Sequence, residues 1–207
     1  MTTLRQVELE SIFLISIVAA VSIFFVIQRN NQFNVGSSIS VNSPLVTEVP
    51  SQNVSSQISP DGTKKVIMKI VRNQDNTQTY SFYNADSSGA NEKYIFTRTL
   101  EEEENMTIPY NTWSPNNQYF FIQENAKSGK SVFAFEASGA AFSDTEKYFD
   151  VTDLFRKRNT GNNFKEATGW ASESLIIINT TKKNNTKGPS YWFEVPSRAI
   201  IPLATEF

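Results

Sequence analysis

This 207-residue chain contains no cysteine and no histidine, two of the residue types that enzymes most often use for catalysis. Without cysteine there is no thiolate nucleophile, disulfide framework or cysteine-based zinc site. Without histidine there is no imidazole base to activate a serine and no histidine ligand for a transition metal. Catalysis would have to rely on carboxylates, lysine, tyrosine or serine. We therefore expect no enzymatic activity, no catalytic residue, no cofactor and no metal site.

Two groups of carboxylates are candidates for chemistry. Asp150 and Asp153 could act as the acid and base of a glycoside hydrolase, although residue type is the whole of their support. Residues 101–104, four consecutive glutamates, could bind a divalent cation or a basic partner, but their order does not match a calcium-binding loop. For both groups, acids on exposed loops are the default interpretation.

The charge balance and short sequence motifs limit the classes of partner that the chain is expected to bind. The chain has 19 basic and 21 acidic residues, so it lacks the basic surface of a nucleic-acid-binding protein, and we expect no nucleic-acid partner. Short basic clusters at 156–158 and 182–187 are expected on exposed loops. Glycosylation sequons occur four times and would matter only in a host that glycosylates exported chains; they start at Asn53, Asn105, Asn179 and Asn184.

The amino-terminal segment 11–28 predicts one transmembrane helix. Residues 12–27 carry no charge, and the 18-residue stretch is near the lower limit for crossing a hydrocarbon core of roughly 30 Å. A cleaved signal peptide is the alternative, but no convincing small-x-small cleavage site follows. The apolar residues that define the predicted anchor include Ile12, Phe13, Leu14, Phe24, Phe25 and Ile27.

The predicted location is that of a single-pass membrane protein. Residues 1–10 form a short cytoplasmic head, and the carboxy-terminal domain lies outside the cytoplasm, or is exported after signal cleavage in the alternative. Arg5 and Arg29 flank the apolar segment almost symmetrically, so basic residues alone do not set the orientation. Residues 29–57 are predicted to be a flexible polar spacer, because 16 of these 29 positions are Asn, Gln, Ser or Thr. Within it, residues 44–50 could form one short strand.

From residue 58 onward, short apolar runs alternate with Asn, Gly, Asp and Ser clusters, which is typical of an all-β domain. Asp150 or Thr152 could instead cap a short helix at the end of the sixth predicted strand. The predicted strands lie near residues 65–71, 79–84, 93–99, 118–124, 131–137, 147–152, 174–180, 191–196 and 199–204.

Four pairs of similar segments recur at a spacing of about 55 residues. They divide the domain 58–207 into repeats 58–112, 113–169 and 170–207. The pairs are 58–62 with 113–117, 92–96 with 146–150, 135–137 with 193–195, and Trp113 with Trp170.

Each repeated unit has a physical role. Ser59, Pro60, Asp61 and Gly62 form a β-turn sequence, in which proline presets φ and glycine accepts a left-handed exit. Ser114 and Pro115 begin the second turn, where residues 116–117 (Asn-Asn) replace Asp-Gly; the third copy lacks both proline and glycine. The apolar runs at 119–122 and 175–178 predict burial on both faces. We expect Trp113 and Trp170 to pack in the core between neighbouring sheets.

At these residues the chain resembles the WD40-like β-propeller repeat of the TolB type. The pattern is seen in the Ser-Pro-Asp-Gly turn, the following inner strand, and the segment 84–89 (Asn-Ala-Asp-Ser-Ser-Gly). The resemblance implies a propeller-like array of about three antiparallel blades. Because propellers typically close with four to eight blades, such an array is a partial ring, a ring completed by a second copy, or a curled stack. Residues 44–50 could also pair with the edge of the last blade.

The resemblance implies a non-catalytic binding or scaffold module that recognises protein, peptide or glycan partners, with a protein partner or a homo-oligomer expected. Two alternatives remain open at this point. One is an accessory or degenerate hydrolase-associated propeller subunit. The other is a structural protein that assembles through open β-edges.

Overall fold

The computed structural model describes residues 53–203, and this part of the chain is an all-β domain with one short helix. The predicted head, transmembrane helix and anchor residues lie outside the described residues, as do most of the spacer and its possible strand at 44–50. Within residues 53–203, no helix has the length and apolar character needed to cross a membrane.

Twelve strands form three four-stranded antiparallel sheets, and in each sheet the spatial order follows the order along the chain. We name them sheets I, II and III. Sheet I contains β1 (Asn53–Ile58), β2 (Lys64–Arg72), β3 (Gln78–Asp86) and β4 (Lys93–Leu100); sheet II contains β5 (Asn105–Thr107), β6 (Tyr119–Ala126), β7 (Gly129–Glu136) and β8 (Phe149–Asp150); sheet III contains β9 (Asn163–Trp170), β10 (Leu175–Thr181), β11 (Tyr191–Glu194) and β12 (Ala199–Pro202).

The sequence repeats and the sheets are offset by one strand. Each repeat was predicted to begin at a turn, but the strand before that turn, namely β1, β5 or β9, belongs to the same sheet as the strands that follow it. We call these three the leading strands. Residues 53–57, which were assigned to the spacer, lie in β1 and pair with β2. The spacer prediction is therefore wrong for these five residues.

Sheet II is buried on both faces because its side chains alternate between two cores. Phe120 and Ile122 of β6 pack toward sheet I, whereas Phe121 between them packs toward sheet III. This confirms two-sided burial for the run 119–122. In the run 175–178, only Ile176 and Ile178 are buried, and the alternate residues stay partly exposed. Two-sided burial is therefore wrong for that run.

A short helix, α1 (Val151–Lys157), takes the last two residues of the predicted strand 147–152, of which only Phe149 and Asp150 lie in a strand. Asp150 caps it, since its side chain accepts a hydrogen bond from the Asp153 backbone N–H at 2.8 Å. The helical alternative is thus the one that the structure adopts. The buried Thr152 hydroxyl accepts a hydrogen bond from the Val132 backbone N–H, a donor that a longer β8 would otherwise satisfy.

The first two repeat turns share the same hydrogen bonds. In the first, the Ser59 hydroxyl accepts from the Lys64 N–H at 2.9 Å and donates to Asp61 at 2.6 Å. In the second, the Ser114 hydroxyl accepts from the Tyr119 N–H at 3.0 Å and donates to Asn116 at 2.8 Å. An asparagine carbonyl therefore replaces an aspartate carboxylate without changing the turn.

The left-handed position of the turn is also shared, with φ of 71° at Gly62 and 59° at Asn117. The third turn differs. Ala171 donates its backbone N–H to the Leu175 carbonyl, four residues on, whereas Ser59 and Ser114 each donate to a carbonyl five residues on. The third turn is thus one residue shorter and has no serine hydroxyl at its start.

Three turns of sheet I contain aspartates whose hydrogen bonds should make the stability of the fold decrease in acid. Donation from the hydroxyls of Ser59, Thr77 and Ser88 lowers the pKa of Asp61, Asp75 and Asp86 respectively. A pKa lowered on folding contributes stability that is present above the unfolded value of about 3.9 and is lost as pH falls through the native value.

We therefore expect the urea concentration at the unfolding midpoint of the full chain, in non-ionic detergent, to decrease as the pH is lowered from 5 to 2.5. The midpoint of the triple variant Asp61→Asn, Asp75→Asn, Asp86→Asn should decrease less. Asparagine keeps the acceptor oxygen, as Asn116 does, but does not titrate. Tryptophan fluorescence measures the midpoint. Identical pH profiles for the two proteins would contradict this assignment.

Candidate functional site

The three sheets are tied together by two tryptophan side chains. The Trp113 indole N–H of sheet II donates to the Gln57 carbonyl of sheet I at 3.2 Å. The Trp170 indole N–H of sheet III donates to the Thr112 carbonyl of sheet II at 3.1 Å. Gln57 directly precedes residue 58, the counterpart of Trp113, and Thr112 directly precedes Trp113. Each tryptophan therefore donates to an equivalent backbone carbonyl on the neighbouring sheet.

Aromatic packing surrounds both ties. Trp113 is 6% exposed and lies 5.2 Å, centroid to centroid, from Phe120. Trp170 is partly buried, stacks with Tyr119 at 6.3 Å and contacts Phe121 at 5.9 Å. Burial raises the pKa of Tyr119, and Glu136 and Glu194 raise it further. Both tryptophans thus pack between neighbouring sheets.

A second contact joins sheets II and III beside the Trp170 tie. The Asn111 side-chain amide donates to the Thr168 carbonyl at 3.3 Å. Gly169, which follows, has φ of 147°, and a Cβ added there would lie 3.2 Å from the Asn111 Cβ. Glycine at this position allows the backbone of β9 to approach sheet II closely.

The segments that lead into the three repeat turns enclose a cleft of about 560 Å³, which we call the leading-edge cleft. Each sheet contributes residues that lie just before its repeat turn. Sheets II and III add the repeat tryptophans, and sheets I and II add the turn prolines. Its lining residues are Gln57, Ile58, Pro60, Tyr110, Asn111, Trp113, Pro115, Thr168, Gly169, Trp170 and Ile177.

The lining of this cleft is aromatic and amide-rich, and none of these lining residues is an acid, lysine or arginine. Tyr110 lies at the rim and is 87% exposed. Both repeat indole N–H groups are already bonded to backbone carbonyls. The side chains of Gln57, Asn111, Thr168 and Tyr110 remain as the polar groups of the lining.

Of the repeat-motif residues predicted from sequence, the structure brings Pro60, Trp113, Pro115 and Trp170 together at the leading-edge cleft. Ser59, Asp61 and Gly62 form the turn beside it, and Ser114 forms the equivalent turn of sheet II. The tryptophans were expected only in the core, and they contribute to the cleft wall as well.

The glutamate run 101–104 lies between β4 and β5, and its members are engaged with cations and backbone of the same chain. Glu102 pairs with Arg72, and Glu103 lies 3.1 Å from the Lys127 ammonium. Glu104 accepts from the Lys127 backbone N–H at 3.0 Å. Glu103 raises the pKa of Lys127. In residues 53–203 no cluster of three potential metal-ligating side chains occurs.

The other carboxylate candidates serve local structure. Asp150 is the N-cap of α1, and Asp153 forms an ion pair with Lys157 at 2.7 Å within the same helix. Neither residue belongs to the leading-edge cleft. Their arrangement explains a capped, ion-paired helix and offers no pair of carboxylates across a binding site.

The sequence did not predict the residues that give the cleft its polar side chains, namely Gln57, Tyr110, Asn111 and Thr168. Three of them lie within three residues of a repeat tryptophan. Gln57 directly precedes Ile58, which holds the position of that tryptophan in the first repeat. Proximity to the repeat start was therefore the available signal.

Comparison with protein-family models finds no match, and comparison with curated proteins finds none either.

Proposed function

We propose that this protein is a membrane-anchored, extracytoplasmic binding module whose leading-edge cleft holds an uncharged segment of a protein partner. The observation that carries the proposal is the convergence of three equivalent segments, each just before a repeat turn, on one aromatic and amide-lined cleft. Clefts that bind ligands are mostly apolar and aromatic, with a few polar groups that fix orientation.

The arrangement of the sheets supports a propeller-like array of three blades. Each sheet is a four-stranded antiparallel meander, and neighbouring sheets are joined on one side through the Trp113 and Trp170 ties. In a propeller, four-stranded blades of this kind are arranged around a central channel.

The chemistry of the lining favours binding over hydrolysis. General acid–base catalysis needs a titratable group within hydrogen-bond reach of the reacting atoms. The only titratable side chain that lines the cleft is Tyr110, and it is largely exposed. This supports a binding module over the alternative of a hydrolase-associated subunit with activity of its own.

The same lining indicates what kind of segment would fit. The indole faces and the prolines offer apolar contact, whereas the amides of Gln57 and Asn111 can both donate to and accept from a peptide backbone. Because the residues that line the cleft carry no charge, a strongly charged segment is a poor occupant: its charges would be partly desolvated without a partner.

Binding is tested with arrays of uncharged, proline-containing peptides and of neutral glycans, probed with the full chain in detergent. We expect a peptide to be selected, and Tyr110→Ser to weaken its binding by about tenfold, which is roughly 1.4 kcal/mol. Tyr94→Ser, at an exposed tyrosine outside the cleft, is the matched control and should leave affinity unchanged. Selection of glycans alone, or equal affinity in both variants, would contradict the proposed peptide site.

The proposed location follows from the predicted anchor at 11–28. Expressed in a bacterial host, the full chain should stay in the membrane pellet after an alkaline carbonate wash and keep its amino terminus by mass spectrometry. Protease added to spheroplasts should digest the β-domain. Release by carbonate would contradict the anchor, and protection from protease would contradict the orientation.

A further inference from the structure

A second cleft, of about 230 Å³, lies in sheet III at the end of β10. Its wall consists of the last residues of β10, the loop 182–190 that joins β10 to β11, and Lys165 of β9. We call this cleft the loop pocket. Among residues 53–203 it shares no lining residue with the leading-edge cleft, to which β10 contributes Ile177. The loop pocket is therefore a separate candidate site.

The loop over this pocket is held in one shape by contacts with β10. Thr181 and Lys187 form an isolated β-bridge, and the Gly188 backbone N–H donates to the Thr180 carbonyl at 3.0 Å. A Cβ added to Gly188 would lie only 2.5 Å from the Thr180 hydroxyl oxygen. Glycine therefore allows the loop to close onto the strand. As a result, the backbone of Lys187 is held at a defined position beside β10.

The lining of the loop pocket contains two lysines, Lys165 and Lys187, and no acid. Within residues 53–203, no carboxylate forms an ion pair with Lys187. The ammonium of Lys165 lies 3.6 Å from the carboxylate of its neighbour Glu166, whose other oxygen binds Lys130 at 3.0 Å. The described carboxylates therefore do not neutralise the positive charge at this pocket.

Neutral hydrogen-bond donors lie beside the two ammonium groups. The Asn179 side-chain carbonyl accepts from the Ser190 hydroxyl at 3.1 Å, which leaves the amide NH₂ of Asn179 as a donor. In the part of the chain that the structure describes, the side chains of Asn185 and Thr181 form no hydrogen bond. Lysine, asparagine and threonine side chains are among the donors that proteins use to bind phosphate oxygens.

Two exposed basic clusters lie at this edge of sheet III, at 156–158 and 182–187. Residues 156–158 end α1, which packs against β9. Asn163, the first residue of β9, pairs with Thr181, the last residue of β10, which directly precedes the second cluster. Glu194 of β11 lies at the opposite end of the sheet, where it pairs with the first residue of β10. The surroundings of the loop pocket therefore add to its positive charge.

We propose that the loop pocket binds a phosphomonoester group, carried either by a soluble molecule or by a lipid head. This inference is independent of the function proposed for the leading-edge cleft. Two ammonium groups match the two negative charges that a phosphomonoester carries above its second pKa of about 6, whereas a carboxylate or a sulfate ester carries one. Its three terminal oxygens accept hydrogen bonds from the amides and the hydroxyl, and lysine binds phosphate as a point charge.

Isothermal titration calorimetry on the full chain in non-ionic detergent tests the proposal with three anionic forms of one sugar: glucose 6-phosphate, glucose 6-sulfate and glucuronate. We expect glucose 6-phosphate to bind most tightly at pH 7.5. Its affinity should decrease about tenfold at pH 5, because most of the phosphate then carries one charge while both lysines keep theirs. The affinities of the other two sugars should not change over this range.

Two variants test the convergence of the lysines on the pocket. Lys187→Gln and Lys165→Gln should each weaken the binding of glucose 6-phosphate by about tenfold, because each removes a charged hydrogen-bond donor. Lys183→Gln, on the same loop but outside the lining, is the matched control and should change the affinity by less than about twofold. Circular dichroism confirms that each variant is folded.

Three results would overturn the proposal. The first is a failure of glucose 6-phosphate to bind, and the second is equal affinity for all three sugars or an affinity independent of pH. The third is an equal loss of affinity in Lys183→Gln and Lys187→Gln, since this would indicate diffuse attraction to a basic edge.

Mixed micelles distinguish the two sources of the phosphate. Phosphatidate, whose phosphate is a monoester, should displace glucose 6-phosphate if the ligand is a lipid head. Phosphatidylglycerol, whose phosphate is a diester with one charge, should not displace it. Displacement by phosphatidate alone therefore assigns the site to a lipid head, and no displacement assigns it to a soluble molecule. Displacement by both lipids would contradict recognition of a phosphomonoester.

Discussion

The structure depends on one repeated polar contact, the hydrogen bond from a tryptophan indole to a backbone carbonyl of the neighbouring sheet. A largely buried indole N–H needs an acceptor, and both tryptophans find it in a carbonyl at an equivalent position. Apolar packing alone is non-directional and would tolerate sliding of one sheet over the next. The ties fix the relative register of the sheets, so that the segments before the three repeat turns converge on one cleft.

The array has two unlike ends, and this asymmetry follows from a few side-chain choices. Equivalent positions on sheets II and III hold Phe120 and Ile176, which are buried, whereas sheet I holds Lys65. The last sheet keeps Ile177 and Trp192 on the surface that the preceding sheets use for stacking. One end is therefore adapted to solvent, and the other retains the character of an interior interface.

Much of the fold follows from local rules that the sequence displays. The strands rich in apolar residues and the two serine turns were predicted within a few residues, because alternating burial and turn chemistry act over short distances. The equivalence of Asn116 and Asp61 was predicted from turn chemistry and agrees with the shared hydrogen bonds of the two turns. The short helix had been left as an alternative to a strand, since capping and strand patterns overlapped there.

The leading strands β1, β5 and β9 were all missed, and for a common physical reason. Each lies at the edge of its sheet with few buried side chains, so its sequence is polar and lacks the apolar run that marks a strand. The ends of β1 and β9 line the cleft, so this part of the candidate site was missed with them. The indole ties also join residues 56 and 58 positions apart, a relation that periodicity suggests but does not specify.

Indole hydrogen exchange tests the central claim most directly. The chain has three tryptophans, and each N–H resonance can be assigned by replacing one tryptophan with phenylalanine. The indoles of Trp113 and Trp170 should exchange with solvent deuterium at least about tenfold more slowly than that of Trp192, because only the first two donate to a neighbouring sheet. Equally fast exchange of all three indoles would contradict the account.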